Sequence, residues 1–121
     1  MKRRPQRVAE AIRRLAGEIV HSRLKDPRIS RFVTITKVEV TADLRFAKIY
    51  YTTLCEDKKK ELVARGLKSA KSYMRKRIGE ELKLRYAPDI SLRLDKVVEY
   101  SKKIDNILDK LKKEARDEGD R

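Results

Sequence analysis

Apolar residues recur along this chain with two alternating periods, and the changes of period mark its elements. Val8, Ile12, Leu15, Ala16, Ile19 and Val20 return at helical spacing, and Pro5 suits a first turn, so a helix is expected from about Pro5 to Leu24. Asp26-Pro27-Arg28 ends it, because proline disfavours helical geometry in the residue before it. Val33 and Ile35 then alternate with polar residues, whereas Val38, Val40 and Ala42 do so on the other parity. The slip near Thr36-Lys37 predicts a strand from Val33 to Thr41 with a bulge in it. After a turn at Asp43-Leu44, Ala47, Ile49 and Tyr51 define a second strand, whose other side carries Phe46, Lys48 and Tyr50; Phe46 and Tyr50 read as sheet packing.

A longer helical stretch follows. Leu62, Val63 and Leu67, then Ala70, Met74, Ile78 and Leu82, share one side, while Lys68, Lys71, Arg75 and Lys76 gather on the other. Gly66 weakens the expectation of continuity, and the small residues Ala70 and Ser72 around Lys71 offer a place for a kink. Pro88-Asp89 stops the stretch, Ile90, Leu92 and Leu94 alternate as a third strand, and Tyr100, Ile104, Ile107, Leu108 and Leu111 give a last helix at heptad-like spacing. The expected fold is therefore α+β, a two-layer sandwich of order α-β-β-α-kink-α-β-α with three strands. The first two strands pair antiparallel and the third arrives by a helical crossover. One domain over 1–111 and a frayed, charged tail over 112–121 complete the layout.

Charge changes the picture from fold to partner. The chain carries a net charge of +14 from 33 Lys and Arg against 19 Asp and Glu. Residues 1–28 hold nine basic against three acidic side chains and residues 29–98 hold 17 against nine, whereas residues 99–121 are balanced at seven each. An excess confined to the first two segments favours a basic face directed at a polyanion over charge that serves solubility alone. Cys55 and His21 are the only residues of their kinds, which leaves no internal disulfide, no cysteine-rich metal site and no internal histidine pair. Glu80-Glu81 and Asp89 are the only clustered acids near the basic stretch, and they read as partners of Lys76, Lys83 and Arg85. No enzyme, cofactor or metal is expected. With no membrane-length apolar run and no signal-peptide core after Met1, a cytoplasmic protein is expected.

The element order, with paired helices between strands two and three, resembles the type II KH domain, an RNA-binding module. The Gly-x-x-Gly loop usual there is missing. Ala70-Lys71-Ser72 fills its place, and here the chain is similar to the ribosome-binding factor A family, whose members carry an Ala-x-Gly kink. Arg7-Val8, Asp26-Pro27-Arg28, Val33 to Val40, Asp43-Leu44 with Ala47-Lys48, Leu84-Arg85 with Pro88, and Asp95 with Glu99-Tyr100 fit the same family pattern, over about Pro5 to Leu111. Ser72 departs from it, and a milder kink near Ala70 is expected, because serine bends a helix less than glycine frees it.

The resemblance implies a bacterial, monomeric assembly factor that binds the 30S ribosomal subunit, assists 16S rRNA maturation, and leaves with the help of a ribosome-associated GTPase. Phosphate contact is assigned to Arg3, Arg4, Arg7 and Arg14 on the first helix and to Lys68, Lys71, Arg75, Lys76 and Arg77 around the kink, with Lys83 and Arg85 beyond. A general RNA- or DNA-binding KH-like protein and a permanent ribosomal protein are the competing readings.

Overall fold

The computed structural model describes residues 3–23, 29, 33–54 and 57–119. In chain order these form helix α1 (Arg3–Glu18), a π-helical turn (Ile19–Arg23), strands β1 (Val33–Val40) and β2 (Phe46–Thr53), helix α2 (Asp57–Glu81), strand β3 (Asp89–Leu94) and helix α3 (Lys96–Gly119). The expected end of the first helix at Asp26-Pro27 lies outside the described residues.

The three strands lie in the order β1-β2-β3, with β1 antiparallel and β3 parallel to β2. Thr36 is the extra residue of the bulge, since Ile35 pairs with Tyr51 and Lys37 with Tyr50. The bulge keeps Val33 and Ile35 before it, and Val38 and Val40 after it, on the side that packs into the core. That is why the period slips in the sequence.

One face of the sheet, with Ala47, Ile49, Tyr51 and Ile90, packs against Ile12, Leu15, Ala16, Ile19 and Val20 from the first helix and Val63, Leu67, Met74 and Ile78 from α2. The other face is open to solvent at Phe46 and Lys48 and buried at Thr52. There Lys37 lies over the Tyr50 ring at 4.6 Å, but Phe46 is 55% exposed, so the reading of Phe46 as sheet packing is corrected.

Two expectations about the helices also change. The helical stretch is one 25-residue helix that runs on through Ala70, Lys71 and Ser72. Val63, Leu67, Ala70, Met74 and Ile78 keep a steady register of about 3.6 residues against the core, so no interruption divides the stretch in two. Without glycine at position 72, the backbone has no residue there that favours leaving the helix. The last helix does not end at Leu111 but keeps helical geometry through the charged tail to Gly119. Its stripe of Ile104, Ile107, Leu108 and Leu111 faces solvent instead of closing the layer.

What fixes α3 is polar. Asp95 precedes its first turn and accepts a hydrogen bond from the Val98 N–H at 3.2 Å, an N-cap. The same carboxylate accepts from the Thr36 hydroxyl at 2.7 Å, which ties the cap to the bulge. One turn later Glu99 accepts from the Thr52 hydroxyl at 3.0 Å, the Thr53 N–H at 3.2 Å and the Lys60 ammonium at 3.3 Å. Lys102 donates to the Thr52 hydroxyl and to the Thr53 carbonyl at 2.6 and 3.1 Å.

Candidate nucleic-acid interface

Three connections meet at one end of the sheet: the start of α1, the β1–β2 turn, and the segment between α2 and β3. The turn is closed by Leu44 N–H to the Thr41 carbonyl at 2.9 Å and Thr41 N–H to the Phe46 carbonyl at 3.0 Å. Asp43 braces it by accepting from the Thr41 hydroxyl at 2.6 Å and the Arg45 N–H at 3.1 Å, bonds that hold its carboxyl below the usual range. Leu44 takes a positive φ of 62° to complete the reversal, a conformation glycine would adopt with less strain.

Beyond α2, Lys83 takes φ of 51° while the Leu84 N–H reaches back to the Gly79 carbonyl at 3.2 Å, a helix end of the Schellman type. The chain then folds over Gly79 so closely that a Cβ on that residue would lie 2.9 Å from the Cβ of Ala87. An Asp89 N–H to Arg45 carbonyl bond of 2.7 Å locks this segment to the turn.

These connections set four arginines around two adjoining clefts. Arg4, Arg45 and Arg85 border one of about 640 Å³, with Pro5, Leu84 and Tyr86 in its walls. Arg45 and Arg75 border the other, of about 320 Å³, with Phe46, Tyr86, Ala87 and Asp89. Arg75 is steadied by a 3.4 Å hydrogen bond to the Ala87 carbonyl, and the Arg85 guanidinium lies 5.5 Å from the centre of the Tyr86 ring. A third cleft, of about 330 Å³ between α2 and the sheet, is lined by Lys68 and Lys71 with Tyr51, Ala64, Ser91 and Leu92.

The cations expected from sequence thus fall into groups. Arg4, Arg75 and Arg85 converge at the end of the sheet, and Lys68 and Lys71 share the lateral cleft. Arg7 and Arg14 are exposed on one stripe of α1 with Arg4, and Lys76 and Lys83 are exposed on and beyond α2, but none of these four lines the three clefts. The side chain of Arg3 lies outside the described residues. Arg77 is half-buried and engaged by Glu80 at 3.6 Å and by Glu81, so it is the least available cation of the set.

Arg45, Phe46 and Tyr86 belong to the clefts and were not among the expected contacts. Arg45 stands alone in a turn, and Phe46 satisfies the alternation of a strand, so neither carries a local signal of exposure. Tyr86, two residues before Pro88, is an aromatic in a segment that neither period explains, which is the one hint the sequence offers.

Among the described residues no group of three or more His, Cys, Asp or Glu side chains is placed to hold a metal ion, and no helix is long and apolar enough to cross a membrane. What the basic end can do is place several guanidinium groups against phosphates and offer two aromatic faces beside them.

A family model described as "Ribosome-binding factor A" matches residues 4–108. A ribosome-binding factor A from Geotalea daltonii is 41% identical over 121 residues, covering 100% of this chain and 98% of the relative. Among solved structures, the crystal structure of ribosome-binding factor A from Thermus thermophilus has the same fold, with a TM-score of 0.64 at 19% identity over 73% of this chain and 92% of that one. Coordinates of a homology model of the Thermus thermophilus ribosome binding factor A, as fitted into the cryo-EM map of a 30S complex with that factor, match with a TM-score of 0.55 at 19% identity, over 69% of this chain and 86% of that one.

Proposed function

The chain belongs to the ribosome-binding factor A family, and from that premise we propose that it is a cytoplasmic assembly factor that binds the 30S ribosomal subunit and assists maturation of 16S rRNA. The observation that carries this reading is the convergence of Arg4, Arg45, Arg75 and Arg85 at one end of the sheet. Guanidinium groups drawn from four separate segments, with Asp43 and Asp89 the only acids among the described lining residues, make a surface suited to several phosphates at once. The 30S complex into whose map the homology model of the Thermus thermophilus protein was fitted supports the choice of ribosomal RNA as the polyanion.

The factor acts as a monomer and by occupancy, without a catalytic step of its own. It holds shaped RNA by its backbone while the subunit matures, and a ribosome-associated GTPase assists its departure before translation. Lys68 and Lys71 beside the lateral cleft, and Arg7 and Arg14 along α1, extend the contact.

Sucrose-gradient sedimentation of cell extract tests the proposal. The chain is expected with free and immature 30S subunits and absent from translating ribosomes. Presence on every ribosome would mark a permanent ribosomal protein, and duplex DNA that competes as well as 30S subunits at physiological salt would mark a general nucleic-acid binder.

A further inference from the structure

The smaller cleft at the basic end has a feature that phosphate binding does not need. Phe46 and Tyr86, both among its lining residues, are 55% and 64% exposed, although each could bury a large apolar surface. Phe46 opens β2 on the face of the sheet away from the core, opposite in parity to the buried Ala47. Its register partner is Asp89, and the bond from the Asp89 N–H to the Arg45 carbonyl carries the segment of Tyr86 and Ala87 alongside it. Arg45 and Arg75 border the same space.

We propose that this cleft is a stacking site for one unpaired nucleotide, whose base lies against Phe46 or Tyr86 while its flanking phosphates meet Arg45 and Arg75. The inference rests on the reading of the chain as an RNA-binding factor and adds a base contact to the backbone contacts proposed above. A volume of about 320 Å³ accommodates a single base. Asp89 repels a phosphate, so the part of the cleft it lines suits the base better than the backbone. Stacking on an aromatic face is tolerant of sequence, because every base has one, so the site selects an unstacked nucleotide over a paired one without selecting its identity. The Arg85 guanidinium beside the Tyr86 ring steadies that ring on one side.

The test uses the full chain and two labelled single-stranded RNAs of equal length and charge, one with bases and one made of abasic nucleotides, read by fluorescence anisotropy. The wild type is expected to bind the RNA with bases about tenfold more tightly. The Phe46→Leu, Tyr86→Leu double variant is expected to bind both as weakly as the wild type binds the abasic strand, and Tyr86→Phe to keep the preference. Both positions are solvent-facing and leucine keeps their apolar character, so circular dichroism should be unchanged in the double variant. Equal binding of the two RNAs by the wild type, a failure to bind either, or a preference that survives in the double variant would overturn the proposal. Sedimentation with 30S subunits is scored separately: a wild type that cosediments but shows no base preference refutes the stacking site alone, whereas one that does not cosediment refutes the assembly-factor reading.

Discussion

At the scale of single residues, Asp95 and Glu99 decide how the last helix is attached. The Thr36 hydroxyl, then the Val98 N–H and the nearby Lys37 charge, hold the Asp95 carboxyl below its ordinary value against the opposing effect of burial. For Glu99 burial pushes the carboxyl up, but the bonds from Thr53, Thr52 and Lys60 together outweigh it and leave it lowered. Asp95→Ala removes both the cap and the acceptor for Thr36, and urea unfolding should show a loss of about 2 kcal/mol. A carboxylate whose folded value is depressed stabilises the protein fully above its unfolded value and loses that contribution as pH falls through the folded one. The stability gap between wild type and an Asp95→Asn, Glu99→Gln variant should therefore be widest near neutrality and shrink below about pH 4, and a gap independent of pH would contradict these contacts. Lys83 gives a change in the other direction: with φ at 51°, Lys83→Gly should raise stability by about 0.5–1 kcal/mol in the same assay. The sequence made the bulge at Thr36 legible, since it shifts a period. It hid the bond from Thr36 to Asp95, because the two residues are 59 positions apart and neither belongs to the apolar pattern.

At the scale of elements, the apolar periods place three strands and three long helices, and in all but α3 the reason is that the element buries one face and burial follows the period. What they do not place is continuity. Gly66 and the small residues around Lys71 are compatible with a break, yet the buried positions from Val63 to Ile78 stay in phase and the helix runs through. Nor do they say whether an apolar stripe finds a partner, and that of α3 beyond Tyr100 is exposed. The close approach of α2 to the segment before β3 is equally silent in sequence, since it depends on Gly79 meeting Ala87 across a turn. Gly79→Ala improves helix propensity by about 1 kcal/mol but forces the two Cβ atoms to 2.9 Å, so thermal unfolding should show a net loss of about 1–2 kcal/mol. Ala87→Gly in the same chain should restore most of it. A stabilised Gly79→Ala protein would mean that the segment carrying Tyr86 is not held against α2 as described.

For the whole molecule, the question is which of 33 basic side chains act together. Charge counts alone confine the excess to residues 1–98, and the stripes of α1 and α2 are legible as helical faces. The group formed by Arg4, Arg45, Arg75 and Arg85 is not, because its members come from a helix start, a turn, the middle of a helix and a connection, and only the folded sheet end brings them together. Arg77 shows the converse, since it fits the basic stripe in sequence but is engaged by Glu80 and Glu81 in the fold. If the convergent arginines carry binding through phosphate contact, each releases counterions from RNA and contributes roughly 0.7 to 0.9 to the slope of log affinity against log salt. The direct measurement is therefore the salt dependence of binding to purified 30S subunits, for the wild type and for a variant with Arg4, Arg45, Arg75 and Arg85 changed to glutamine. The variant should bind more weakly with a slope shallower by about 3, and a variant that keeps the wild-type affinity and slope would contradict the assignment of this end of the sheet as the RNA contact.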